Sequence, residues 1–201
     1  MDRLSLEQGT FLVRLARSTV ENYLERGQAP KPACPEWGTR PRGAFVTLAT
    51  FPARQLRGCV GYVSPATPLA EMVCEAALLA AFADTRFEPL GKKEVGQVVF
   101  ETSVLTPPKR LATALPADRP AHIEIGRHGL IVTQGMRSGL LLPQVPKEFG
   151  WREEEFLSHA CLKAGLPPDA WLSGATQVFL FEAQVFSEKE PGGEVEEKGE
   201  H

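Results

Sequence analysis

Cysteine is scarce and scattered in this chain: Cys34, Cys59, Cys74 and Cys161 are the only four in 201 residues, and no two form a Cys-x-x-Cys pair. That spacing excludes a zinc ribbon and a thioredoxin-like redox motif, and in a reducing compartment all four are expected as free thiols. Charge of one sign is also missing. Lysine and arginine total 22 against 25 aspartates and glutamates, a net charge of -3 with a pI near 5.9, so the basic excess that announces nucleic acid is absent. No apolar run approaches the roughly 18 residues of a membrane span, and the opening Met1-Asp2-Arg3-Leu4 begins no signal-peptide core. The expectation is a cytoplasmic protein that works without nucleic acid and without a membrane. No internal repeat is visible.

What is present is an ordinary globular composition, 43% hydrophobic and 23% charged, on a chain long enough to need no disulfide or metal staple. Ser5 followed by Gln8 reads as a capping box, and Phe11, Leu12, Leu15, Ala16, Thr19, Val20, Tyr23 and Leu24 recur at helical spacing up to Gly27. After a proline-rich connector from Pro30 to Pro41, Gly43 to Leu48 and Leu56 to Val63 read as strands around a Phe51-Pro52 turn. Thr67-Pro68 then caps an alanine-rich helix, Leu69 to Ala83, that is apolar nearly all round and expected to be buried. Val95 to Leu105 reads as a strand and Pro107 to Pro120 as a loop. Ile123 to Val132 is expected to give two short strands around a Gly126-Gly129 turn, with another turn from Gln134 to Gly139 before Leu140 to Leu142. A helix opens at Trp151 and closes at Gly165-Leu166-Pro167, and Val178 to Phe186 is a last strand. From Glu188 to His201 the glutamates and Gly192-Gly193 predict a disordered acidic tail. Helices and strands do not alternate in crossover fashion, so the fold class is α+β with a mixed, mostly antiparallel sheet.

The segment Leu56-Arg57-Gly58-Cys59-Val60-Gly61 carries the sharpest chemical signal. If it is extended, Arg57, Cys59 and Gly61 share one face. A guanidinium beside a thiol favours the thiolate, the form that attacks electrophiles or binds metal. Gly58 and Gly61 would let a ligand or another backbone approach closely. The plain alternative is a buried, inert cysteine, and no histidine stands nearby to act as its base. Glu101, set among apolar Val98, Val99 and Phe100, needs a partner or a cleft, which makes it a candidate acid/base or half of a buried salt bridge. Asp84 and Arg86 follow a buried helix, where they can clamp a ligand or cap the helix. His128, in a glycine-bounded turn, and Gln144, after a Leu-Leu-Leu-Pro run, are candidate ligand contacts. No metal-ligand spacing and no cofactor motif is written in the chain.

Seven blocks, Gly43 to Leu48, Leu56 to Gly61, Asp84-Thr85-Arg86-Phe87, Glu101 to Leu105, Gly126 to Leu130, Leu141 to Val145 and Cys161 to Leu166, together resemble the AMMECR domain proteins, a family named for a human chromosomal deletion region. They run in order across nearly the whole chain, and the Leu-Arg-Gly-Cys-Val-Gly block is the most specific. The resemblance implies a single α+β domain over residues 1–187 with two unequal lobes and a cleft near the Arg-Gly-Cys strand. It brings no established reaction and no cofactor. Prokaryotic members stand beside, or are fused to, Memo-like proteins and a radical S-adenosylmethionine enzyme; this chain carries one domain, so such partners are expected to act in trans. Two functions stay open. One is a binding module that offers its cleft to a small ligand or partner; the other is an enzyme with Cys59 as nucleophile or ligand, Arg57 lowering its pKa, and Glu101 or His128 moving protons.

Overall fold

A computed structural model describes residues 3–28, 35–63 and 67–198. In chain order the elements are α1 (Leu6–Arg26), β1 (Ala44–Thr50), β2 (Leu56–Tyr62), α2 (Leu69–Phe82), β3 (Val98–Leu105), β4 (Lys109–Arg110), β5 (Gly129–Gln134), β6 (Arg137–Leu141), α3 (Gln144–Phe149), α4 (Glu153–Lys163), β7 (Gln177–Phe181), β8 (Ala183–Glu188) and β9 (Val195–Lys198). The described residues fall into two compact units: those up to Leu105 together with 184–198, and Thr106–Ala183. The class is α+β, as the element pattern predicts. Among the described residues no helix is long and apolar enough to cross a membrane.

In the first unit the sheet order is β2-β1-β3-β8-β9, with β1 antiparallel to both β2 and β3. The capping box at the start of α1 is real: Gln8 N–H donates to the Ser5 hydroxyl at 3.2 Å, and Ser5 N–H donates to Gln8 Oε1 at 2.9 Å. Gly27 ends the helix at φ 71°, a left-handed value that suits glycine. Leu12, Val13, Ala16 and Val20 of α1 and Met72, Val73 and Ala77 of α2 pack with Val46, Leu48, Phe100 and Phe186 of the sheet in one fully buried cluster. Each large side chain there contributes about 1.5–3 kcal/mol. Alternate strand residues therefore face this core and leave Phe45, Thr47 and Glu101 on the opposite sheet face.

The second unit has its own sheet, β4-β7-β5-β6, and its own core of Leu130, Val132, Phe156, Leu157, Ala160, Trp171 and Val178. Arg119 is buried within it and donates to the carbonyls of Trp171 and Thr176.

Four local expectations are corrected, and one short helix, α3, is added. The cap of α2 is Pro68 itself, with no side-chain cap hydrogen bond, so Thr67 does not cap the helix. Ile123 to Ile125 forms no strand, because Ile123 N–H bonds back to Pro120 O and the Glu124 carbonyl takes the amides of Arg127 and His128. The hairpin is instead β5 with β6. The single strand expected over Val178 to Phe186 breaks at Glu182, whose N–H and C=O are both held by Thr106, and its halves join different sheets. α3 was not signalled by any periodicity, being only six residues long. The disordered tail expected from Glu188 is ordered as far as Lys198: β8 pairs with β9, and Val195 is buried in the first core. Its anchor is Glu188, fully buried, which receives Arg17 Nε and Nη2 at 2.6 Å each and Phe100 N–H at 3.0 Å. Composition hid this because the partner cation lies at the other end of the chain.

Candidate functional site

β2 is an edge strand, and its pairing with β1 is irregular: Gly58 faces Leu48 but Leu56 faces Ala49, so Arg57 is an extra residue with no partner across. A bulge of this kind re-aims a side chain and breaks the two-residue period. Arg57 accordingly does not turn to Cys59. Its Nε donates to Glu94 Oε1 at 2.5 Å and its Nη2 to Glu94 Oε2 at 3.1 Å and to the Glu88 carbonyl at 2.8 Å, while its guanidinium carbon lies 5.7 Å from the Phe87 ring centroid. Arg57 holds the Glu94 carboxyl below its ordinary value. The expected role of Arg57 in lowering the Cys59 pKa is corrected accordingly.

The guanidinium that does reach Cys59 belongs to Arg86. Cys59 N–H donates to Asp84 Oδ2 at 2.9 Å, and Arg86 Nη2 donates to the Cys59 carbonyl at 3.2 Å. Asp84 and Arg86 bind each other through two further contacts at 2.6 and 2.9 Å. An exposed strand edge offers unpaired N–H and C=O groups to any passing strand; here an ion pair occupies both groups of Cys59. Hydrogen bonding from Arg86 is the largest influence that keeps the Asp84 carboxyl well below the usual carboxylate range.

The Cys59 side chain heads a polar row across three strands. In register, Cys59 faces Thr47, and Thr47 faces Glu101. Thr47 donates its hydroxyl to Cys59 Sγ at 3.2 Å, and Lys198 of β9 pairs with Glu101. Burial pushes the Cys59 thiol above its ordinary value; the Thr47 hydrogen bond and Arg86 act the other way, and the carboxylates of Glu101 and Asp84 add to the rise. A thiol in that state stays protonated at neutral pH.

Both glycines of the motif are filled by the chain itself. A Cβ on Gly58 would sit 2.1 Å from the Ala80 carbonyl oxygen of α2, and one on Gly61 would sit 2.2 Å from the Ala44 carbonyl oxygen of β1. The close approach they allow is made by the protein's own backbone, which corrects their assignment as ligand contacts.

A family profile described as AMMECR1 matches residues 13–186. The chain belongs to the AMMECR1 family. It is 53% identical over 200 residues to Methanopyrus kandleri protein MK0488, covering 98% of this chain and 96% of the relative. It is 50% identical over 198 residues to Methanocaldococcus jannaschii protein MJ0810, covering 98% of each. The crystal structure of the uncharacterised protein PH0010 from Pyrococcus horikoshii matches with a TM-score of 0.84 at 47% identity, covering 96% of this chain and 97% of that one.

In this AMMECR1 protein the first unit gathers Cys59, Glu101, Asp84 and Arg86, with Arg57 one bulge away. His128 and Gln144 belong to the second unit. His128 Nδ1 accepts the Glu124 N–H at 3.0 Å and so closes its own turn, and Gln144 opens α3 at an exposed position. Thr47, Glu94 and Lys198 were not singled out in the sequence. Thr47 had a signal, a hydroxyl at an outward position of an otherwise apolar strand; Glu94 and Lys198 had none, because each acts on a residue far away in the chain. Cys59 and Cys161 carry free thiols, and Cys34 lies outside the described residues. Among the described residues no three His, Cys, Asp or Glu side chains gather to hold a metal ion.

Proposed function

We propose that this AMMECR1 protein is a binding module that offers the polar sheet face of β2, β1 and β3 to a small polar ligand or a partner protein, in trans with Memo-like and radical S-adenosylmethionine proteins. The observation that carries the reading is the row Cys59, Thr47, Glu101 and Lys198, a donor and acceptor strip on a half-buried face, in which the thiol is held protonated by its surroundings. The strip supplies a carboxylate and an ammonium for polar recognition. The Asp84-Arg86 clamp and the Arg57-Glu94 pair keep its edge strand in place. An enzymatic use of Cys59 as nucleophile would need a base or a nearby cation strong enough to ionise it; Arg86 acts in that direction but burial outweighs it.

Hydrogen exchange read by mass spectrometry tests the reading. Purified Memo-like and radical S-adenosylmethionine proteins from the same source are added singly and together to the full chain. Slowed exchange over Ala44–Thr50, Leu56–Tyr62 and Val98–Leu105, lost in a Glu101→Gln, Lys198→Gln double variant, supports it. Exchange in those strands unchanged by either partner contradicts the partner assignment.

A further inference from the structure

The core of the second unit encloses a positive charge that no carboxylate of the unit meets. Arg119, on the short helical segment Pro116–His122, is 7% exposed. Its Nη1 donates to the Trp171 carbonyl and its Nη2 to the Thr176 carbonyl at 2.8 Å, so the loop between α4 and β7 grips the guanidinium. Neutral carbonyls orient a cation without cancelling its charge. Among the described residues no carboxylate makes an ion pair with Arg119. The acid whose charge is felt there is the Cys161 thiol, and burial pushes that thiol above its ordinary value, so it stays neutral at neutral pH. Arg110 adds a like charge. A buried cation in these surroundings is costly unless an anion joins it.

Two polar atoms beside that charge have no hydrogen-bond partner among the described residues. One is Arg119 Nε; the other is the hydroxyl Oγ1 of Thr176, a residue 1% exposed. The Nε–H of a guanidinium points to the same edge as Nη2, and Nη2 is the atom that touches Thr176, so both unpartnered atoms belong to one place. A direct bond between them would satisfy the two atoms and leave the charge as it is. Buried polar atoms are satisfied with few exceptions, and an exception calls for an ion or a water; around a buried cation, an anion answers both needs. The cover over this place is thin. Gly174 and Ala175 are exposed, a Cβ on Gly174 would meet nothing within 4 Å, and the turn is held by Thr176 N–H on the Ser173 carbonyl and Ala175 N–H on Ser173 Oγ, each at 3.2 Å. A small ion enters by local opening of such a turn, whereas the enclosure of Arg119 and Thr176 excludes phosphate and organic acids.

We infer that Arg119 and Thr176 form a halide-binding site in the core of the second unit. A chloride ion accepts hydrogen bonds from Arg119 Nε–H and Thr176 Oγ–H and balances the guanidinium, tying Pro116–His122 to the loop before β7. The site belongs to a different unit from the Cys59 strip and involves no covalent step. It makes the stability of this unit depend on ambient chloride.

Thr176→Val tests the inference, because the hydroxyl bonds to no described residue and valine keeps its shape, so folding is preserved. Melting of the full chain is followed in sodium chloride and in sodium gluconate at equal ionic strength, with hydrogen exchange over residues 116–122 and 170–177 reporting on the second unit. In gluconate the variant melts at or above the wild type, since it loses a buried hydroxyl that has no partner. In chloride the wild type gains stability with the logarithm of the chloride concentration and the order reverses; the chloride dissociation constant is at least about tenfold weaker in the variant, the loss of one hydrogen bond to a charged group. Crystals of the full chain grown in sodium bromide give an anomalous peak within hydrogen-bond reach of Arg119 Nε and Thr176 Oγ1. The same order of melting in both salts overturns the site, and so does a bromide map with no peak between these two atoms.

Discussion

Arg57 and Glu94 form a two-pronged ion pair, Nε to Oε1 at 2.5 Å and Nη2 to Oε2 at 3.1 Å, across 37 positions of sequence. The pair fastens the bulge of β2 to the segment that follows α2, and Phe87 lies under both Arg57 and Arg86, with guanidinium carbons 5.7 and 5.5 Å from its centroid. The arginine of the Arg-Gly-Cys motif is therefore a fastener of the edge strand. Arg57→Ala should cost about 1–2 kcal/mol, because the carboxylate keeps partial access to solvent, and should leave the Cys59 alkylation midpoint unmoved. Urea denaturation paired with thiol labelling checks both; a displaced labelling midpoint with stability intact would speak for the catalytic role.

Asp84 gives the molecule a specific acid sensitivity. Its folded carboxyl titrates below the unfolded value of about 3.9 because Arg86, then the backbone N–H groups of Cys59 and Arg86, favour the charged form. A depressed carboxyl stabilises the fold above its unfolded pKa, and the contribution is lost as pH falls through the folded value. Asp84→Asn should cost about 1–2 kcal/mol at neutral pH. The gap to the wild type should narrow steadily below about pH 4. Denaturation midpoints of the two proteins over a pH series give the answer, and a gap that does not depend on pH would refute the assignment.

The tail matters to the fold. Breaking a buried ion pair by removing one partner costs about 3–5 kcal/mol, so Glu188→Ala, which removes the buried carboxylate that Arg17 grips and leaves it with the more exposed Glu21, should lower the melting temperature by on the order of 10 °C. Truncation after Ser187 should do at least as much, since it also removes β9 and buried Val195. A melting temperature unchanged by either would mean that the hairpin does not dock.

Local signals in the sequence were legible where the structure is local. The Ser5 and Gln8 capping box, the Gly27 stop and the apolar alanine helix are each written within a few residues, and each forms as expected. The strands β1 and β3 follow from runs rich in apolar and β-branched residues. Illegible were the features that depend on register and on distant partners. Alternation placed Arg57 beside Cys59, and one bulge residue undid it. The Cys59-Thr47-Glu101 row exists only because β1 pairs on both sides with a fixed register. Glycines at 58 and 61 signalled a close approach without saying whose, and packing supplied Ala80 and Ala44. An acidic tail read alone looks solvated, and only Arg17 makes Glu188 a core residue.

The state of the Cys59 thiol is the measurement on which the binding-module account stands most directly. Iodoacetamide labelling of the full chain against pH, read by peptide mass spectrometry, should show Cys59 alkylation rising only above the ordinary thiol value of about 8.5, since burial raises its pKa. The Arg57→Ala curve should overlay the wild type, and Thr47→Val, which removes a hydrogen bond favouring the thiolate, should shift the midpoint higher still. Labelling of Cys59 that persists at about pH 6.5–7, faster than at Cys74 and Cys161 and lost in Arg57→Ala, would contradict the account and restore Cys59 as a nucleophile.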